Sequence, residues 1–314
     1  MFITLTLNPA IDLTLTVRGN LAPGGIFPVV AETQTPGGKG VNVAKIIAAN
    51  GKSVVAGGLL GRDELGLYER ALAPAGVGCR FLAVPLPTRA NVMITDGQGR
   101  EMKLNRPGFP DLLYDEAALA AYARALATPG RIVVMSGSLP ERFPADTYAR
   151  LVRLFREAGC PVVLDASGPP LVEALREKPA VIKPNRHELE TALGRTLDSE
   201  QAVSAALRKL AAAHEAVVLS DGARGAWFAS GGGILFAKSP DVPKIDTTGA
   251  GDALLGQFCA DYFPARALTP ALAARAVAAG AAAVEQPGTP LLSLARIIRL
   301  SKRVVPVPWV PSVP

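Results

Sequence analysis

The stretch Asp246-Thr247-Thr248-Gly249-Ala250-Gly251-Asp252-Ala253 runs straight into the apolar segment Leu254-Leu255-Gly256-Gln257-Phe258. Hydroxyl residues, a Gly-Ala-Gly turn and an apolar run read as a loop entering a helix, with Thr248 placed to cap it. The glycines permit a tight turn and leave nothing over the backbone N–H groups. Bare N–H groups at a helix N-terminus form a site for anions. A lone Asp in a first turn ordinarily does no more than complement the helix dipole. Here Asp252 shares its turn with Thr, Gly and Ala. A phosphate at the N–H groups would therefore sit beside a carboxylate able to orient and deprotonate a hydroxyl, an arrangement that suits phosphoryl transfer.

Outward from this stretch the chain alternates. Residues 2–7 read as a strand that ends at Asn8-Pro9-Ala10-Ile11-Asp12. Residues 13–17 and 26–33 read as short β pieces. Pro36-Gly37-Gly38-Lys39-Gly40-Val41-Asn42-Val43-Ala44 opens a helix that runs to about residue 50. Strand, helix and strand follow at 53–59, 64–73 and 80–84, and then a hairpin of 90–95 with 100–105 around Asp96-Gly97-Gln98-Gly99. From residue 115 helices alternate with strands at 132–135, 162–164 and 181–182. This order predicts an α/β fold with a mainly parallel sheet flanked by helices. The early β pieces and the hairpin, about 12–34 and 88–106, predict a small second sheet forming a lid on one domain of residues 1–314. The proline-rich tail reads as loosely ordered.

A length of 314 residues with 49% hydrophobic content supplies ample core. The net charge of +6 is spread without a basic run, and aromatics make up only 5%, which disfavours nucleic-acid binding. Cys79, Cys160 and Cys259 are odd in number and widely spaced, so neither a disulfide framework nor a metal cluster is expected. His187 and His214 are the only histidines, which disfavours His-based metal sites and triads. No segment reads as a signal peptide or a membrane span, and a cytoplasmic location is the expectation.

The polar residues collect where strands end, the place where open α/β sheets bind ligands. Asp12 follows the first strand, and a turn-forming role for it after Pro9 is an equal alternative. The glycine loop with Gly38, Lys39 and Asn42 suggests an anion or a hydroxyl-rich ligand, and lacks the Ser or Thr of a Walker A loop after Lys39. Ser136-Gly137-Ser138-Leu139-Pro140, Asp165-Ala166-Ser167-Gly168 and Lys183-Pro184-Asn185-Arg186-His187-Glu188 follow three later strands. Asn185 and Glu188 fit a capping box, the favoured reading of that pair on its own. Arg89, at the foot of the hairpin, reads as a surface charge. Ser220-Asp221-Gly222-Ala223-Arg224-Gly225 is a glycine-rich turn between two strands.

Together, the Gly37–Ala44 loop and the Asp246–Ala253 loop, in that order, resemble the two signatures of the ribokinase-like (PfkB) carbohydrate kinases over nearly the whole chain. Asn8 to Asp12, Thr88-Arg89-Ala90-Asn91, Ser136 to Pro140 and Lys183-Pro184-Asn185 are similar to the branch that phosphorylates phosphohexoses: fructose-1-phosphate, tagatose-6-phosphate or fructose-6-phosphate. The resemblance implies a three-layer α/β/α domain with a β lid that pairs subunits into a homodimer. It implies ATP and Mg²⁺ as cofactors, a sugar phosphate as the other partner, and no nucleic acid or membrane. By the same resemblance Asp252 is the base and Gly249, Ala250 and Gly251 form the anion hole. Asp12, Gly38, Asn42 and Ser136 face the sugar, while Lys39 and Arg89 grip its phosphate. Lys183, Ser220, Gly222, Gly225 and Thr248 face ATP, and Asn185 with Glu188 organises Mg²⁺ through water. Asp221 and Arg224 depart from the apolar and acidic residues usual in that nucleotide turn. Fructose-1-phosphate is the expected acceptor; Lys39 fits the branch that acts on fructose-1-phosphate and tagatose-6-phosphate, whereas Gly288-Thr289 leans towards the 6-phosphofructokinases. A non-catalytic sugar- or nucleotide-binding regulator is the rival of a different class.

Overall fold

Strand β1 (Phe2–Thr6) is buried along its whole length, and its alternate side chains enter opposite cores. Phe2 packs into one hydrophobic cluster, and Ile3 and Leu5 into another. A strand buried on both faces belongs in the middle of a sheet covered by helices on both sides. The computed structural model describes residues 1–289 and 291–309 and places it there.

The elements run β1, β2 (Ala10–Val17), β3 (Val29–Gly37), α1 (Lys39–Ala49), β4 (Val54–Gly61), α2 (Leu65–Leu72), β5 (Val77–Val84), β6 (Arg89–Thr95), β7 (Glu101–Asn105) and α3 (Glu116–Leu126). Then come β8 (Ile132–Ser136), α4 (Thr147–Glu157), β9 (Val162–Asp165), α5 (Gly168–Leu175), β10 (Val181–Ile182), α6 (Arg186–Leu193), α7 (Glu200–Ala211) and β11 (Ala216–Ser220). The chain continues through β12 (Gly225–Ser230), β13 (Gly233–Lys238), α8 (Ala250–Ala265), α9 (Pro270–Val284), α10 (Leu294–Ser301) and β14 (Pro306–Pro308).

Ten strands form the main sheet in the order β14-β13-β12-β11-β10-β9-β8-β1-β4-β5. Every pairing from β11 to β5 is parallel, and β12, β13 and β14 add an antiparallel edge. One face carries α1, α2, α8, α9 and α10, the other α3 to α7. The alanine-rich α9 lies against α8 closely enough that a Cβ on Gly280 would come within 3.2 Å of the Ala250 carbonyl. That close contact explains why so much of the core is alanine.

The predicted lid is the second sheet, ordered β3-β2-β6-β7. Its two hairpin pairings are antiparallel, and a parallel β2–β6 pairing joins them. The beginning of the tail departs from expectation. Val307 pairs with Phe236 on the sheet edge, and the Trp309 ring packs edge-on against Trp227 at 5.0 Å. An edge strand tolerates Pro306 and Pro308 because one row of its backbone groups needs no partner. Residues 310–314 of the tail lie outside the described residues. No helix among the described residues is long and apolar enough to cross a membrane.

Candidate active site

The C-terminal ends of the parallel strands and the lid enclose a cavity of about 880 Å³. Asp12, Gly38, Lys39, Asn42 and Arg89 line its lid side; Lys183, Asn185, Glu188, Ser220, Gly222 and Gly225 line the far side. Thr248, Gly249, Ala250, Gly251 and Asp252 lie between them. Of the residues predicted from sequence, Ser136 alone does not line the cavity. It is fully buried at the end of β8, opposite Asp165 in the β8–β9 register.

The head of α8 is built by Gly249, whose φ of 75° is a left-handed turn that an L side chain would strain. No side chain caps this helix, contrary to the expectation for Thr248. The Thr248 hydroxyl donates instead to Asp246 Oδ1 at 2.8 Å, so the first-turn N–H groups stay clear of a side-chain cap. Asp246 also accepts from the Thr248 and Gly288 amides, which holds the loop in shape. Lys103 reaches from β7 of the lid to the same carboxylate at 3.1 Å.

Asp252 is only 6% exposed, and Asn42 Nδ2 donates to its Oδ2 at 2.8 Å. Burial, and then the negative charge of Asp165, push its pKa up to about 6, against the pull of Lys39, Asn42 and Lys183. A carboxylate poised there is a stronger base than an ordinary Asp and is still ionised at neutral pH.

Asp165, noticed in the sequence only as part of a strand-end loop, proves to be central. It is wholly buried at the end of β9, with Lys183 Nζ 3.1 Å from one oxygen and Lys39 Nζ 3.5 Å from the other. Its burial opposes ionisation, but Lys183 and Lys39 overcome that and hold its pKa below the usual carboxylate range. Asp165 in turn raises the pKa of Lys39, so both partners stay charged. Asp165 therefore joins Lys39 of the first glycine loop to Lys183, which follows β10 on the far side of the cavity.

On the lid side, Asn91 Nδ2 donates to Asp12 Oδ1 at 3.0 Å. Burial raises the Asp12 pKa. Gly37 passes so close that a Cβ there would lie 2.4 Å from Asp12 Oδ2. Arg89 is not a free surface charge. Its guanidinium donates to the carbonyls of Pro9, Arg106 and Asn8, which fixes it at the cavity edge.

Asn185 and Glu188 form the full capping box of α6: Asn185 Oδ1 accepts from the Glu188 amide and Glu188 Oε2 from the Asn185 amide, each at 2.8 Å. Both residues nevertheless line the cavity. Asp221, in the glycine-rich turn after β11, is taken up by Arg186, at 3.0 and 2.7 Å, and by Arg224 at 2.8 Å. Its carboxylate anchors the turn to α6 and does not line the cavity.

Comparison with known proteins agrees with this geometry. The chain matches the pfkB family carbohydrate kinases over residues 5–294. It is 40% identical over 255 residues to the 1-phosphofructokinase of Rhodobacter capsulatus, covering 80% of each chain. It is 37% identical over 264 residues to that of Xanthomonas campestris pv. campestris, covering 82% of this chain and 83% of the relative. Among solved structures, phosphofructokinase-2 from Escherichia coli in complex with substrates and products superposes with a TM-score of 0.87 at 27% identity, over 96% of this chain and 98% of that one. The two glycine loops that meet at Asp252 lie within the matched span, and the chain belongs to the pfkB family of carbohydrate kinases.

Proposed function

We propose that this chain is an ATP-dependent sugar-phosphate kinase that converts fructose-1-phosphate to fructose-1,6-bisphosphate. The observation that carries this reading is the buried Asp252, bonded to Asn42 of the acceptor loop and standing in the first turn of the uncapped helix α8. The relatives named 1-phosphofructokinase support the choice of acceptor.

In this reading Asp12, Gly38 and Asn42 hold the sugar hydroxyls, and Lys39 and Arg89 hold the phosphate it already carries. The free primary hydroxyl attacks the γ-phosphorus of ATP in line. A new O–P bond forms, the bond to the β-phosphate oxygen breaks, ADP leaves, and the hydroxyl proton passes to Asp252. The Gly249–Gly251 amides stabilise the charge that develops on the transferred group. Lys183 and the turn from Ser220 to Gly225 hold ATP, and Thr248 supports the loop through Asp246.

The described residues contain no group of three or more His, Cys, Asp or Glu side chains that could cage a metal. Mg²⁺ needs no such cage, since one or two carboxylates with water and substrate phosphates suffice. Glu188 fits, because the capping box uses its Oε2 while the side chain still lines the cavity. Glu188 and Asn185 would hold the ion through water, where it neutralises phosphate charge.

The lid carries exposed apolar residues: Ile26 (98% exposed), Val29, Val30, Met102 and Leu104. Such a patch suits a second lid, and a homodimer through this sheet belongs to the same reading. A monomer in sedimentation at micromolar concentration would remove that part of it.

The test of function is a coupled ADP-release assay over phosphohexoses. Fructose-1-phosphate should give the highest kcat/KM, ahead of tagatose-6-phosphate and fructose-6-phosphate. Turnover confined to unphosphorylated sugars or nucleosides would overturn the proposal.

A further inference from the structure

Lys45 lies on α1 one turn beyond Asn42 and is only 9% exposed. Its ammonium donates to two main-chain carbonyls, Pro36 at 3.3 Å and Thr289 at 3.4 Å. These carbonyls belong to opposite halves of the site. Pro36 lies on β3, paired with Ile11 and next to Gly37, the residue over which Asp12 folds. Thr289 packs on the other half: a Cβ on Gly249 would lie 2.8 Å from its Cγ2. Its neighbour Gly288 donates to Asp246, in the loop that enters α8. A separate cavity of about 20 Å³ beside Lys45 is lined by Asn42, Thr248, Gly249, Gly288 and Thr289, so the contact region backs directly onto the anion hole.

Burying an ammonium is costly, and an apolar side chain of similar length would fill this space at less expense. What a lysine adds is a bridge between two carbonyls and a positive charge. Burial weakens that charge, while Asp12 and Asp252, the carboxylates of the acceptor site and the base, favour it.

We propose that Lys45 is a positioning residue for phosphoryl transfer: its ammonium clamps the strand that carries the acceptor site to the loop that backs the anion hole, so that hydroxyl and phosphate keep one spacing. The inference rests on the kinase reading above. It differs from that reading in concerning a side chain that does not line the main cavity and touches neither substrate.

The experiment compares Lys45→Met, Lys45→Arg and wild type, using whichever phosphohexose the wild-type enzyme turns over. Wild-type turnover tests the kinase reading, and the ratio of variant to wild type tests this one. Lys45→Met should lower kcat by about 10- to 100-fold, the scale expected for a small misplacement of reacting groups. The KM for ATP should stay within about twofold, because the adenine side of the cavity is untouched. Lys45→Arg, which keeps a charge and several donors, should recover part of the loss. The acid limb of the kcat profile should move to higher pH in Lys45→Met, since one cation near Asp252 is gone while Asp165, Lys39, Lys183 and Asn42 remain around it.

A role in stability alone gives a different result. Lys45→Met would then melt earlier but, well below its melting temperature, keep wild-type kcat and an unmoved acid limb; that outcome overturns the proposal. If Lys45→Met does not fold, Lys45→Gln, which keeps an N–H donor without the charge, is read against the same criteria.

Discussion

Asn42 Nδ2 lies 2.8 Å from Asp252 Oδ2, a hydrogen bond between residues 210 positions apart. It ties the first turn of α1 to the first turn of α8. Two glycine loops that are each ambiguous alone thereby become the two walls of one site, with Asp252, the proposed base, on their seam. The amide also favours the ionised carboxylate at a position where burial and Asp165 disfavour it.

Asp252→Asn should lower kcat by roughly 10²–10⁴-fold, the usual worth of a positioned general base. Circular dichroism should show the fold intact, and activity within a few-fold of wild type would mean the base lies elsewhere. In the wild type, activity should fall with pH through the Asp252 value of about 6. Because that value is raised in the folded protein, ionisation of Asp252 opposes folding. The stability its protonated form confers is full below the ordinary Asp range and disappears as pH rises through about 6. Asp252→Asn should therefore be more stable than wild type at pH 8, by up to about 3 kcal/mol, with the gap closing towards pH 4. Melting curves across pH check this.

Asp165→Asn should uncouple the two lysines. Lys183 is left buried without its counter-ion, and the cost at pH 7 should be about 3–5 kcal/mol in denaturant unfolding. The depressed pKa of Asp165 means that its stabilisation is present above the ordinary carboxylate range, so the difference should narrow as pH falls below about 4. With one repelling anion gone and Lys39 and Lys183 released, the acid limb attributed to Asp252 should move to lower pH. An unmoved limb would show that Asp165 does not act on Asp252.

Glu188→Gln separates capping from metal binding. Glutamine completes a capping box as well as glutamate does, so stability should change by less than about 0.5 kcal/mol. The Mg²⁺ concentration for half-maximal activity should rise by about tenfold or more, as when outer-shell metal partners are removed. A stable variant with unchanged Mg²⁺ dependence would leave Glu188 as a cap alone.

Arg186→Met removes the two-pronged contact to Asp221 and should loosen the turn from Ser220 to Gly225, the proposed ATP-binding turn. The KM for ATP should rise by about tenfold, equivalent to about 1.4 kcal/mol, while the acceptor KM stays unchanged. Equal effects on both substrates would mean that the turn does not serve ATP.

Much of this could be read from the sequence, because the signals are local. Strand–helix alternation, buried strands such as residues 2–7 and the glycine loops at helix starts depend on residues that are neighbours in the chain, and they carried the α/β class and the small second sheet and singled out Asp252 as a candidate. The capping box at Asn185 and Glu188 was legible for the same reason, and it is present in full.

Only the tertiary structure could decide the pairings. Whether Asp165 faces one lysine or two depends on β9 lying between β8 and β10, and on α1 beginning above them. Burial of Lys45 and Ser136, the reach of Lys103 to Asp246, and the docking of Val307 on the sheet edge likewise follow from register and crossover geometry. Residue type and spacing determine which groups a strand end or helix start presents. The sheet that brings those ends together determines which charge each group meets, and so sets the pKa of Asp252.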